Sequence, residues 1–468
     1  MSVRLSRSVP LVVASALFME HLDSTVIATS LPAMAADLGL EPVRLNLAIT
    51  TYLVTMAVFI PASGWLADRL GARRVFTGAI AVFLAGSILC GAAPSLEVLV
   101  AGRALQGLGG AMMTPVGRLV MLRSVPKSEL ISAMAWLTVP ALIGPVVGPP
   151  LGGFITTFAS WRWIFWINVP IGLIGIAASL LVLPHIREEA TDRFDGVGFV
   201  LSALGLAALV FALETAGRDV VPAAVVAGAL VIGLALVALH LRHARRVARP
   251  LIDVDLLRLP TFRAGVLGGS IFRLGVGALP FLLPLQLQIG FGRSPLESGL
   301  TTFVAAIGAM AMKLTAAGII TRFGFRATLT ANALVAGAML AAVATVGPAT
   351  PVAAIMALLL AGGFFRSLEF TAINVVVFSE VEDERMSRAT SFSSMMQQLS
   401  LSGGVALGAT TLHLLSIGSA RPPGAGDFSL AIALVGGLSM LAAAVFVRLP
   451  ADAGAEMLAT KGHRRDDA

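Results

Sequence analysis

The sequence predicts an all-α membrane protein of about fourteen transmembrane helices. Three observations lead there. Hydrophobic residues fill 57% of the 468 positions and charged ones 13%, against roughly 45–50% and 25% in an ordinary soluble domain. Mean hydropathy is +0.90. Apolar runs of about twenty residues, enough to cross a bilayer as a helix, recur from end to end. These runs are too long and too uniformly apolar for the alternating strands of a membrane barrel.

The first run, 9–31, follows Arg4 and Arg7 and precedes Ala33-Met34-Ala35, which together look like a secretory leader. Glu20, His21 and Asp23 within it predict a retained helix instead, because three polar residues weaken a leader's apolar core while a helix lining a polar cavity can use them. Runs 47–67 and 75–93 flank a short charged loop, 96–121 and 133–154 carry glycine and proline patterns, and 164–183 completes a set of six. The pair 197–213 and 221–241 comes next, followed by a basic stretch from Arg242 to Arg263. A second set of six spans 264–287, 299–320, 327–346, 352–372, 391–415 and 430–447. The expected organisation is an N-terminal bundle (1–190), an inserted pair with a basic linker (191–262), a C-terminal bundle (263–450) and a tail (451–468).

The net charge of +7 sits in short loops between apolar runs, which points to topology rather than to nucleic acid. Arg4, Arg7, Arg69, Arg73, Arg74, Arg123, Lys127, Arg187, Arg193, Arg242 to Arg263, Arg322, Arg326, Arg385, Arg388, Lys461, Arg464 and Arg465 all fall on one side of an even number of spans. The other side holds little beyond Arg44, Arg162, Arg218, Arg293 and Arg421. Lys and Arg concentrate in cytoplasmic loops, so both termini are expected in the cytoplasm. The single cysteine, Cys90, excludes an internal disulfide and a cysteine metal cluster.

Gly64-Trp-Leu-Ala-Asp68-Arg69-Leu-Gly71-Ala-Arg73, after the second run, has a faint echo 253 residues later in Ala317-Gly-Ile-Ile-Thr321-Arg322-Phe-Gly324-Phe-Arg326. Arg, Gly and Arg recur; Asp becomes Thr. The echo's position makes runs one to six and nine to fourteen equivalent bundles, leaving seven and eight as the insertion.

Several segments carry a more specific likeness. Leu22-Asp23-Ser24-Thr25-Val26-Ile27-Ala28-Thr29-Ser30-Leu31-Pro32 lies in the first run and Gly64 to Arg74 after the second. Leu99-Val-Ala-Gly-Arg103-Ala-Leu-Gln106-Gly107-Leu-Gly109-Gly110 lies in the fourth, and Gly144-Pro145-Val-Val-Gly148-Pro149-Pro150-Leu-Gly152-Gly153 in the fifth. Trp161-Arg-Trp-Ile-Phe-Trp-Ile-Asn168-Val-Pro170 and Phe194-Asp195 with Gly198 follow. With these six segments in order, the chain resembles the fourteen-helix drug:proton antiporters (DHA2-type) of the major facilitator superfamily nearly end to end. The resemblance implies the major facilitator fold, with two six-helix bundles plus two inserted helices. It also implies proton-coupled export of amphipathic small molecules across a bacterial inner membrane.

Each segment also has a physical reading of its own. Gly64 permits close helix approach, Gly71 relaxes a turn, and Asp68 beside Arg69, Arg73 and Arg74 can act as a latch on the cytoplasmic face; the plain alternative is a solvated turn. Gly144, Gly148 and Gly152 recur every fourth residue and form a flat ridge. Pro145, Pro149 and Pro150 on that helix remove backbone donors and favour a hinge.

Charges inside apolar runs are the best candidates for chemistry, because an uncompensated charge at mid-bilayer costs roughly 3 kcal/mol on insertion scales. Glu20 and Asp23 share a helix face at i, i+3. Arg103 lies well inside the fourth run. These three are the expected proton-coupling group. Gln106, Arg273, Lys313, Arg366, Glu369 and Gln397 are cavity candidates; Arg366 and Glu369, again at i, i+3, fit a structural ion pair equally well. Phe18, Met19, Phe281, Leu282, Met395, Met396 and Gln398 could add an adaptable lining, while His21 and His413 read as polar packing. The three cations of the second bundle also suit an anionic or zwitterionic metabolite, the alternative cargo.

None of Lys127, Lys313 and Lys461 stands in a G-x-x-x-x-G-K-[ST] loop, so an ion gradient rather than ATP is the expected driving force. No metal, cofactor or nucleophile constellation is expected, and the expected partners are the bilayer, protons and a small-molecule cargo. A membrane transferase would need an acidic or histidine cluster and a catalytic loop, a sensor would need an output domain, and a channel fits poorly with duplicated bundles.

Overall fold

The computed structural model describes residues 2–40, 45–126, 129–184, 193–216, 221–248, 250–416 and 424–458. Arg44, Lys127, Arg187, Arg218, Arg421, Lys461, Arg464 and Arg465 lie outside them. All regular structure in the described residues is helical. Ten helices among them are long and apolar enough to cross a membrane, and the fourteen apolar runs are mostly helical, some of them with breaks.

The chain divides into two compact units. Unit 1 comprises Met1–Met121, Pro140–Val254 and Ser387–Leu399. It opens with α1 (Ser2–Leu38) and α2 (Asn46–Phe59), which passes through a tight turn at Ile60–Ala62 into α3 (Ser63–Leu70). Pro61 lies in that turn and cannot donate a backbone hydrogen bond there. Next come α4 (Ala72–Gly91), α5 (Leu96–Ser124), α6 (Leu130–Phe158), the short α7 (Trp163–Trp166) and α8 (Asn168–Val182). The inserted pair, α9 (Gly196–Thr215) and α10 (Ala223–Ala244), completes the unit. Asp195 caps α9 by accepting from the Gly198 amide (2.8 Å) and pairs with His243 on α10 (2.8 Å). Phe194 stacks near Trp65 on α3 and Phe199 on α9. The Phe194-Asp195-x-x-Gly198 motif therefore clasps α9 to α10 and to α3.

Unit 2 comprises Leu122–Val139, Asp255–Met386 and Ser400–Ala468. Its main helices are α11 (Pro260–Leu285), α12 (Pro295–Lys313), α13 (Ala316–Ala342), α14 (Val352–Val376), the later part of α15 (Met386–Ser416), α16 (Ala425–Met440) and α17 (Ala443–Phe446). Pro280 and Pro284 precede a wide π turn at Gln286–Gly290, as expected where proline removes donors from the helical ladder. Helices α12 and α14 meet backbone to backbone: a Cβ on Gly308 would strike the Leu360 carbonyl, and one on Gly363 the Ala305 carbonyl.

Two details refine the sequence reading. The tenth run, expected unbroken over 299–320, is interrupted at Leu314 and Thr315, so Lys313 ends α12 instead of lying mid-helix. The repeat is also written in the backbone. Gly71, between α3 and α4, has φ 91°, and Gly324, where α13 kinks, has φ 74°. A side chain would strain either position, so the same residue makes the same break 253 positions apart.

Candidate functional site

Helix α1 carries a carboxylate into an apolar interior, and four other helices, α2, α4, α5 and α8, build the network around it. Asp23 Oδ2 accepts from Arg103 Nη1 of α5 at 2.5 Å. Asp23 Oδ1 accepts from Gln106 Nε2 (2.9 Å) and Asn168 Nδ2 (2.7 Å). Both amides also donate to Ser87 Oγ of α4, at 2.7 and 3.2 Å. Arg103 spends its remaining capacity on Gln106 Oε1 (2.8 Å), the Ala48 carbonyl (3.4 Å) and the face of Tyr52, 4.3 Å from the ring centroid. Asp23 is 1% exposed and Arg103 0%. Two opposite charges in so dry a place survive only if paired and hydrogen-bonded, and every contact above serves that requirement.

Glu20, one turn earlier and also buried, takes no part in that pair. It accepts from Thr114 Oγ1 of α5 at 3.2 Å. Along the same helix, Gly144 of α6 sits against His21, and Gly148 against Thr25, whose hydroxyl donates to the Gly144 carbonyl at 3.2 Å. Further on, Ser30 and Thr156 bond at 2.7 Å. The glycine ridge is thus the face that lets α6 lie directly on the helix bearing Glu20 and Asp23. Gly152 continues it as a buried residue, and α6 remains continuous through Pro145, Pro149 and Pro150.

In the Gly64 to Arg74 segment, Asp68 accepts from the Ser387 hydroxyl, Ser63 and Ser391 bond at 2.8 Å, and a Cβ on Gly64 would meet the Ser387 carbonyl at 2.6 Å. All of these lie in unit 1. Arg73 reaches the Leu180 carbonyl, and Arg69 is exposed.

The cavity candidates separate. Gln106 belongs to the Asp23 network. Gln397 accepts from Arg118 Nη2 at 3.2 Å, and Arg118 also donates to Ser393 (3.4 Å). In unit 2, Arg273 donates to Asn374 (3.3 Å) and lies over Phe370, and Lys313 donates to Thr371 (3.0 Å). Glu369 does not pair with Arg366. Its Oε2 accepts from Asn332 of α13 at 2.7 Å, because that helix presents an amide where the i, i+3 neighbour was expected. Of the expected lining residues, Met19 and Leu282 are fully buried.

Sequence reasoning missed Tyr52, Ser87 and Arg118. Asn168 was visible as a lone amide in an apolar motif, and nothing in the sequence ties it to Asp23.

A multi-pass helical bundle with a buried, hydrogen-bonded ion pair and a glycine-lined partner helix defines a membrane transporter rather than an enzyme. The chain belongs to the Major Facilitator Superfamily, whose family model matches residues 13–405. It is 39% identical over 463 residues to the "Putative multidrug resistance protein MdtD" of Serratia proteamaculans, covering 96% of this chain and 95% of that protein. It is 38% identical over 462 residues to the protein of the same name from Klebsiella pneumoniae strain 342, covering 97% of each. Among solved structures, the human organic anion transporter MFSD10 (TETRAN) superposes with a TM-score of 0.68 at 16% identity, covering 94% of this chain and 99% of that one, a likeness of fold.

Proposed function

We propose that this chain is a proton-coupled multidrug exporter of a bacterial inner membrane, with both termini in the cytoplasm and Asp23 as the coupling carboxylate. The observation that carries the reading is the Asp23–Arg103 pair, buried within the two helices that bear the family-like motifs. An antiporter needs a carboxylate that is ionised in one state and protonated in another. Arg103 at 2.5 Å is the counter-charge of Asp23 in this state; withdrawal of Arg103 would leave a buried carboxylate without its partner, a condition that uptake of a proton relieves. Glu20, on the same face, adjusts that balance. The glycine ridge of α6 permits α1 to shift, and Asp68 with Ser387 latches the cytoplasmic end. The names of the MdtD relatives support amphipathic drugs as cargo over an anionic metabolite.

The test is transport in proteoliposomes with ethidium and a panel of hydrophobic cations and neutral dyes under an imposed pH gradient. Uphill movement should follow ΔpH in the wild type. Asp23→Asn should abolish it yet still exchange cargo at equal concentrations on both sides. An Asp23→Asn protein that still concentrates cargo using ΔpH removes Asp23 from the mechanism.

A further inference from the structure

The two units carry inverted charges on corresponding helices. In unit 1 the carboxylate stands on α1 and the arginine on α5; in unit 2 the arginine stands on α11 and the carboxylate on α14. Arg273 follows Glu20 by the same 253 positions that separate Gly324 from Gly71, while Glu369 falls 253 positions after Val116, so the inversion is one of helices and only Arg273 stands at a repeat-related site. The units also differ in how the charges are met. Asp23 receives three donors, one of them a guanidinium. Glu369 receives one, the neutral amide of Asn332. Its residue is 0% exposed, and Oε1 has no hydrogen-bond partner among the described residues.

An ionised carboxylate in that position would leave a full charge in a membrane-spanning helix with half its acceptor capacity unmet. A carboxylic acid leaves only a hydroxyl unmet, at a cost of about 1–3 kcal/mol. We infer that Glu369 is a second proton-binding site, confined to unit 2, which holds its proton on Oε1 while Arg273 is engaged elsewhere and releases it when the two pair. Arg273 is now occupied by Asn374 and Phe370, and Asn374 lies on the same helix as Glu369. Pairing requires Arg273 to exchange one partner on α14 for another, which would give unit 2 the ion pair that unit 1 already has.

Other charges bear on the site from the elements packed against α14. Lys313 of α12 is held by Thr371 of α14, and Arg366 is one turn away on α14 itself. Arg263, Glu297, Arg322 and Arg326 stand exposed near helix ends or the α13 kink. Lys313 is tied to a hydroxyl and Arg366 makes no ion pair with Glu369, leaving Arg273 as the partner on the first helix of the unit.

The use of this proton in transport rests on the antiport reading above, while its presence is tested separately. Infrared spectra of the purified full chain in nanodiscs, recorded across pH in H2O and D2O, report protonated carboxyls through the deuterium-sensitive acid C=O stretch above the amide bands. At neutral pH the wild type and Asp23→Asn should both show a band that Glu369→Gln lacks; Glu20→Gln controls for the other buried acid. Should Glu369→Gln fold poorly, Glu369→Asp must shift the same band. Arg273→Gln should keep the band and raise the pH at which it disappears by about one to three units, the reach of an adjacent opposite charge. An acid region unchanged by Glu369→Gln and Glu369→Asp overturns the site, and an Arg273→Gln titration identical to wild type overturns the switch. Neither outcome bears on Asp23.

Discussion

Replacing Asp23 with Asn tests whether the buried pair is a unit or a set of independent contacts. The asparagine keeps the shape but presents one oxygen to donors on both sides. Turned one way, its amide nitrogen faces Arg103; turned the other, it faces the Gln106 and Asn168 amides, which are donors themselves. Either orientation leaves the Arg103 guanidinium, 0% exposed, with only neutral partners. Removing one member of a buried ion pair typically costs about 3–5 kcal/mol, a factor of roughly a hundred to several thousand in an opening equilibrium. Arg103→Gln should cost a comparable amount by stranding Asp23. The double substitution strands neither charge, so its cost should fall well below the sum of the singles. Cys90 provides the assay. It is the only cysteine, fully buried, with its thiol 3.6 Å from both the Leu99 carbonyl and Gln106 Oε1. Its rate of labelling by a thiol-reactive dye in nanodiscs reports opening of this region. Each single variant should label about a hundredfold faster or more, and the double variant more slowly than either. Additive effects, or singles within threefold of wild type, would refute the claim that the pair acts as a unit.

A Cβ on Gly148 collides with the Thr25 side chain, so Gly148→Ala should lower both stability and transport, and Thr25→Ala should restore much of each; a Cβ on Gly144 meets the His21 Cβ at 2.8 Å and the His21 backbone at 3.1 Å, so Gly144→Ala should not be rescued by His21→Ala, which keeps both. Asp68→Asn should leave abundance near normal while cutting efflux sharply, and Thr321→Val at the repeat-related position should be milder; equal effects measured against matched protein levels would make the segment a plain turn. Outside the membrane-spanning part of α1, hydrogen bonds from Arg162 (2.6 Å) and then Trp161 (3.2 Å) hold the Asp37 carboxyl below its ordinary value. A depressed carboxyl contributes stability above its unfolded value and loses it as pH falls through the folded one. Thermal melts in acid should therefore lose a small increment that Asp37→Asn has already lost at neutral pH, and a variant with an unchanged acid slope would count against the contact.

How much of this was legible in sequence follows from how rare each signal is. A charge inside an apolar run is uncommon enough to mark itself, and Asp23, Glu20, Arg103 and Glu369 all stood out for that reason. Glycine at a strained turn is also distinctive: Gly71 and Gly324 belonged to a faint echo whose position suggested the repeat, and both have positive φ. Ser87 and Tyr52 are ordinary residues in helices, and they become part of a site only because α4 and α2 cross α5 where they do. Helix packing decides that, through side chains distant in sequence. Arg118 hid by position: near the end of an apolar run it looks like one more loop cation, yet in the folded chain it is 3% exposed.

Arg366 and Glu369 show the opposite case, a spacing that left a structural ion pair and a functional role equally open. Spacing of i, i+3 places two side chains on one helix face but does not bring them together when a neighbouring helix offers a competing donor. Asn332 does so at 2.7 Å, and its amide bonds the Phe365 carbonyl as well (2.9 Å), fixing its orientation. The outcome depends on α13 lying against α14. It also separates the two units chemically: α1 meets a guanidinium from α5 and forms a closed pair, whereas the carboxyl of α14 accepts from an amide of α13. On the proposed reading the two units hold their carboxylates in different conditions, Asp23 paired with a guanidinium and Glu369 bonded to a neutral amide, and a proton that moves through alternating pairings would meet each condition in turn.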